Sequence, residues 1–209
     1  SVTMNGRPRE LVGKKYTDIS CTPPTPSMAV FDYTNNFRQF LGEIHDSEPW
    51  IFWMGIREPH RPYEFKSSVV QNHQQAGAVD KVPEYWPDND SVRIDMLDYA
   101  YEIEYYDTHI QRVLDILRNS GQLNNTLIIW TSDNGMPFPR RKGQSFECST
   151  HLPMAVMWPE GIKNPGRQCN EYINLVDIVP TLMKLTGYTA GDLGMNEPSG
   201  KEFTDILLD

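Results

Sequence analysis

Leu127-Ile128-Ile129-Trp130-Thr131-Ser132-Asp133-Asn134-Gly135 is the stretch on which the fold assignment turns. Its first five residues form a short apolar, β-branched and aromatic run, which reads as a buried strand. The run ends directly in a carboxylate and an amide carbonyl. In an open α/β sheet, ligands bind beyond the carboxyl ends of the strands, so Asp133 and Asn134 become the first candidates for a functional site. Both present hard oxygen atoms, and Gly135 lets the backbone turn sharply enough for the pair to address one ion. Ca²⁺ suits such donors, with Mg²⁺ second and zinc poorly matched. Asp-Asn-Gly is equally ordinary turn chemistry, and the tetrapeptide alone does not separate the two readings.

Outward from this stretch, helices and strands alternate. Phe37, Phe40, Leu41 and Ile44 recur at helical spacing, and the apolar run Trp50 to Ile56 after Pro49 reads as a buried strand. Ile94, Leu97, Tyr101, Tyr105, Ile110, Val113, Leu114 and Leu117 mark a long amphipathic helix from about Asp90 to Ser120, stopped at Gly121. A second strand is expected at Pro153 to Trp158, and a helix from about Asp177 to Leu185 that stops at Gly187. This alternation predicts an α/β fold with a mixed, mostly parallel sheet flanked by helices. Residues 1–35, with Pro8, Pro23, Pro24 and Pro26 and no periodic apolar face, read as an irregular connecting segment outside the core.

The 209 residues, 39% hydrophobic and 22% charged, suffice for one sizeable core. A net charge of −9 argues against nucleic acid as a partner, so an anionic substrate must meet locally placed cations. Cys21, Cys148 and Cys169 are too scattered for a disulfide framework or a paired zinc site, which leaves at most one bridge and a spare thiol. No run of eighteen apolar residues is present, so no membrane partner is expected, and the first residues lack the apolar centre of a secretory leader.

Three further segments carry chemistry. Gly55-Ile56-Arg57-Glu58-Pro59-His60-Arg61-Pro62-Tyr63 leaves the first strand with a histidine held between two prolines, although a loop histidine can also serve only as a cap. Pro137-Phe138-Pro139-Arg140-Arg141-Lys142-Gly143 places three cations within nine residues of the Asp-Asn pair. It reads either as a solvated basic loop or as the charge needed to hold a divalent oxyanion. Glu147-Cys148-Ser149-Thr150-His151 puts His151 just ahead of the second strand. Cys21-Thr22-Pro23 has no neighbouring cation to activate a thiolate and is set aside as a nucleophile. Asn89-Asp90-Ser91 and Asn124-Asn125-Thr126 match the glycosylation acceptor pattern, which carries no inference without a secreted eukaryotic context.

From about Asn36 to Leu207 the chain resembles the type I sulfatases of the alkaline phosphatase superfamily, in the group similar to heparan N-sulfatase and its bacterial relatives. The resemblance rests on Glu58-Pro59-His60-Arg61, on the Asp107 helix leading into Asn125-Thr126-Leu127-Ile128-Ile129, on Ser132-Asp133-Asn134-Gly135-Met136-Pro137-Phe138-Pro139, and on Leu175-Val176-Asp177-Ile178-Val179-Pro180-Thr181-Leu182. It implies that Asp133 and Asn134 supply two ligands of an active-site Ca²⁺ and that His60 and Lys142 contact the sulfate and its bridging atom. Arg57, Arg61, Arg141 and His151 are the expected substrate-binding residues. Residues 36–209 would be the central and C-terminal part of the catalytic domain, with the N-terminal strands and the C-terminal subdomain absent.

The family's chemistry uses a formylglycine made from a Cys/Ser-x-Pro-Ser-Arg motif, further aspartates near the start of the domain, and a Lys-x-His segment. None of these occurs here, and Cys21-Thr22-Pro23-Pro24-Thr25 lacks the Ser-Arg continuation. The resemblance therefore implies a sulfatase segment whose complete enzyme would hydrolyse sulfate esters or sulfamates of sulfated sugars or glycosaminoglycans in an extracytoplasmic setting. It also implies weak metal binding and no useful turnover by these residues alone, unless the remainder of the domain is supplied. A phosphohydrolase or phosphonate hydrolase of the same superfamily, and a noncatalytic glycan-binding remnant, are the alternatives.

Overall fold

A computed structural model describes residues 13–45 and 48–209; residues 1–12 of the expected connecting segment lie outside the described residues. The chain divides into two compact units, one formed by residues 1–120 and 134–151, the other by residues 121–133 and 152–209. Six helices and two strands are present: α1 (Tyr33–Glu43), α2 (Ser67–Asn72), α3 (Asp90–Asn119), β1 (Ile128–Thr131), α4 (Glu147–Thr150), β2 (Met154–Met157), α5 (Ile178–Thr186) and α6 (Thr204–Leu208).

The first unit is organised by α3. Its 30 residues begin where the Asn89 side chain accepts the Val92 N–H at 3.1 Å, a cap that satisfies one of the donors a helix start leaves unpaired. Helices α1 and α2 both pack against α3. The segment before α1 is less peripheral than its composition suggests. The Cys21 N–H donates to the Val30 carbonyl at 2.8 Å, and Met28 and Ala29 are buried in the core.

Trp50 to Ile56 does not form the expected buried strand. The run is extended and alternates strictly: Trp50 and Phe52 stack against Phe37 and Phe40 of α1, whereas Ile51 is 84% and Trp53 90% exposed. A strand needs a ladder partner for its backbone groups, and none pairs with this run among the described residues. The mostly parallel sheet is likewise not found among them. Their one sheet, in the second unit, pairs β1 with β2 antiparallel, Ile128 opposite Met157 and Thr131 opposite Met154. Both strands were located from their apolar runs; their pairing was not. Helix α5 ends as expected at Gly187, whose φ of 76° is the left-handed conformation that glycine adopts without steric cost.

Beneath residues 57–68 lies a layer of buried acids. Asp98 of α3, 1% exposed, accepts the Lys66 N–H at 2.8 Å, the Ser68 N–H at 2.9 Å and the Ser67 and Ser68 hydroxyls at 3.2 and 2.7 Å. It thereby caps α2, whose own flanking residue Lys66 offers no side-chain bond. Glu58 accepts the Ala29 N–H at 2.7 Å and the Tyr33 hydroxyl at 2.8 Å. Glu102 is buried too, and desolvation, helped by the nearby Glu58 charge, raises its pKa to about 7. His109 is held neutral by burial, its Nδ1 2.8 Å from the Thr34 hydroxyl and its ring between the edges of Tyr33 and Tyr105.

Replacing Asp98 by alanine strands two buried N–H groups and is expected to cost about 3 kcal/mol in urea denaturation, with Asp98→Asn costing less because an amide oxygen still accepts. Glu102 gives a pH dependence of definite sign. Folded, it titrates near 7 rather than at the ordinary 4.5, so the folded protein keeps a proton that the unfolded chain releases in that window. Its contribution is full below pH 4.5 and is lost as pH rises towards 7, and thermal melts of Glu102→Gln should lack this component of the slope.

Candidate active site

The Arg57–Tyr63 loop leaves the extended run and is anchored from below. The Tyr33 hydroxyl donates to Glu58 and accepts the Arg57 N–H at 3.0 Å, fixing the backbone on the N-terminal side of His60. The His60 N–H closes a turn onto the Arg57 carbonyl at 2.9 Å, and the Tyr63 hydroxyl donates to the Pro59 carbonyl at 2.9 Å. His60 is exposed, and its Nδ1 lies 2.6 Å from the Arg61 carbonyl. A carbonyl can only accept, so Nδ1 carries a proton and the lone pair of the neutral ring sits on Nε2.

Arg61 joins this loop to two other parts of the unit. Its two terminal nitrogens fork onto the Asp95 carboxylate of α3 at 3.0 and 2.5 Å, and its Nε–H donates to the Pro137 carbonyl at 3.1 Å. The guanidinium also lies over the Tyr63 and Phe138 rings, 4.6 and 4.9 Å from their centroids. Three of its five N–H groups are thus engaged within the protein. Arg57 is exposed, and its charge acts on Glu102 against the upward shift of that group.

Residues Asn134–Gly143 form a succession of turns. Gly135 is required by close approach: a Cβ there would lie 2.8 Å from the Cys148 carbonyl oxygen, and its N–H donates to the Ser149 carbonyl at 3.1 Å. Phe138 is buried in a stack on Trp86, centroids 5.1 Å apart, while the Trp86 indole donates to the Pro139 carbonyl at 3.0 Å. The Lys142 N–H returns to the Met136 carbonyl at 3.2 Å, leaving an exposed Lys142 ammonium at the end of a braced loop. Arg141 is half-buried with its guanidinium 5.8 Å from the Trp86 ring, and Arg140 lies over Tyr85 at 5.5 Å. His151, exposed at the end of α4, pairs with Glu147 at 3.4 Å.

The structure brings the His60 segment and the Pro137–Lys142 segment together through Arg61. It does not assemble a complete metal centre: among the described residues no group of three or more His, Cys, Asp or Glu side chains is placed to hold a metal. Asp133 belongs to the second unit and Asn134 to the first, where its amide nitrogen donates to the Gly135 carbonyl at 2.9 Å. A carboxylate and an amide oxygen fit a hard cation in kind, but they are two donors where Ca²⁺ takes six to eight. Cys21, Cys148 and Cys169 are free thiols. No described helix is long and apolar enough to cross a membrane.

Sequence reasoning did not single out Asp95, Tyr33 or Trp86, which hold the two loops. Asp95 lies between apolar positions of α3, a charge beside a packed face that could have marked it. Its pairing with Arg61, 34 residues away, has no signature along the chain.

Comparison with known proteins accounts for this arrangement. Residues 9–188 match the family model described as Sulfatase. Human N-sulphoglucosamine sulphohydrolase is 35% identical over 165 residues, covering 70% of this chain and 33% of the relative. Human N-acetylglucosamine-6-sulfatase is 25% identical across 99% of this chain and 39% of its own length. A solved Bacteroides thetaiotaomicron sulfatase, from work on the metabolism of multiple glycosaminoglycans, superimposes with a TM-score of 0.65 at 21% identity, over 85% of this chain and 38% of that one, and shares the fold. The chain thus spans about a third of the length of the curated relatives it matches. With a family match over most of its residues, the chain belongs to the sulfatase family.

Proposed function

We propose that this chain is the substrate-facing segment of a sulfatase that releases sulfate from sulfated sugars or glycosaminoglycan fragments, from an ester or a sulfamate. The observation that carries this reading is the Arg61 fork, which holds the histidine loop and the cationic loop of the family motifs on one support. The identity to N-sulphoglucosamine sulphohydrolase supports a sulfated amino sugar as the substrate class. The same membership supports an extracytoplasmic setting.

In this reading His60 serves the leaving group. With Nδ1–H committed to the Arg61 carbonyl, protonation places the transferable proton on Nε2, from which it passes to the departing sugar oxygen or nitrogen. Lys142 offsets charge developing on the sulfuryl oxygens, acting as a compact cation at the tip of a rigid loop. Arg57, Arg141 and His151 contact the sugar or its anionic groups, and Arg61 positions His60 and the Pro137–Lys142 loop. Asp133 and Asn134 would hold part of a Ca²⁺ site. The calcium would polarise the sulfate and a formylglycine would supply the nucleophile, both completed by residues beyond these 209. Alone, they bind the metal weakly and turn over no substrate.

In the complete enzyme, His60→Ala should lower kcat by 10²–10⁴-fold with a smaller change in KM, measured as sulfate release from an N-sulfated glucosamine substrate; an unchanged kcat removes His60 from the mechanism. Arg61→Ala should lower kcat/KM by roughly 100-fold by releasing both loops. Arg61→Lys should not restore it, because an ammonium cannot fork onto Asp95. Calcium titration of the 209-residue chain should give a Kd of about 1 mM or weaker, against tighter binding by the complete enzyme that Asp133→Asn weakens. Tight binding by the isolated chain would contradict the split metal site.

A further inference from the structure

An open groove of about 430 Å³ lies beside the cationic loop, lined by Tyr85, Arg140, Phe146, Glu147 and Cys148. None of these residues has a part in the chemistry assigned to His60 and Lys142. Two aromatic rings form its walls and stay uncovered, Tyr85 41% and Phe146 52% exposed. Exposure of two large rings around one depression, in a chain whose other aromatics are largely packed together, marks a binding surface.

The groove is built on rigid supports. Tyr85 packs edge-on against the buried Trp86, which is itself bonded to the Pro139 carbonyl, so wall and cationic loop share one anchor. Arg140 stands between them in a left-handed conformation, φ 62°, which a non-glycine residue adopts only when its surroundings impose it. The Cys148 thiol donates to the Arg140 carbonyl at 3.5 Å, and the guanidinium is directed over the Tyr85 ring. A flat apolar ring beside a planar cation suits a pyranose bearing an anionic substituent, with C–H groups against the aromatic face and the sulfate or carboxylate on the guanidinium. In a chain of net charge −9, a cation fixed at the groove is also what admits an anionic sugar.

We propose that the Tyr85–Arg140–Phe146 groove is a subsite for a second, anionic sugar ring next to the one that carries the scissile sulfate, so that the enzyme selects an oligosaccharide over a monosaccharide. The assignment rests on the sulfatase reading for its position beside the reacting sugar. The test is equilibrium binding by the complete protein of N-sulfoglucosamine and of an N-sulfoglucosamine–uronate disaccharide, measured calorimetrically. The wild type should bind the disaccharide at least tenfold more tightly. Tyr85→Ala, Phe146→Ala and Arg140→Gln should each remove most of that advantage and leave monosaccharide binding within twofold, the exposed side chains allowing all three to fold. Equal affinity of the wild type for both sugars, equal loss for both in the variants, or no loss for either overturns the subsite. Turnover is a separate readout: preferential disaccharide binding through Tyr85 and Arg140 without sulfate release would refute the sulfatase reading and leave the subsite standing.

Discussion

The fork between Arg61 and Asp95 is the constraint on which the candidate site depends. An exposed ion pair contributes little to stability, and this one is only partly shielded. Its value is geometric. Two parallel N–H···O bonds fix the plane of the guanidinium, which directs Nε–H at the Pro137 carbonyl and sets the faces of Tyr63 and Phe138 against it. One side chain thereby determines where the histidine loop and the cationic loop stand, with the longest helix of the unit as reference.

Below that clamp the unit carries charge where an ordinary core would be apolar. Asp98 is tolerated because four donors converge on it, and Glu58 because it receives a backbone N–H and a phenol. Glu102, beside both, lessens the cost of burial by binding a proton more tightly. Together these acids tie residues 57–68 to α3 by directional bonds, which specify one backbone path more narrowly than hydrophobic contact would. The cations of residues 140–142 lie on the outside, so an acidic protein presents a locally positive surface at the place where an anion would arrive.

Exposed aromatic surface is distributed unevenly in the same unit. Ile51 and Trp53 stand out from an extended run whose other face is filled by α1, and Tyr85 and Phe146 flank the groove beside Arg140. The first pattern is the alternation of a strand with one covered face. The second places rings around a cation, which gives it the character of a recognition surface.

Local pattern along the chain determined α1, α3, α5 and both strands, because helical and strand periodicities and their glycine stops are written in neighbouring residues. It also determined the segments that carry chemistry, since His60 between prolines and three cations after Asp133-Asn134 are visible as composition. Tertiary structure alone decided that β1 and β2 run antiparallel, that Trp50–Ile56 remains unpaired among the described residues, and that Arg61 is drawn to Asp95 and Pro137. It also set Asp133 and Asn134 in different units. Those outcomes depend on contacts between residues tens of positions apart, formed where hydrogen bonds and apolar faces find partners in space, and no local periodicity records them.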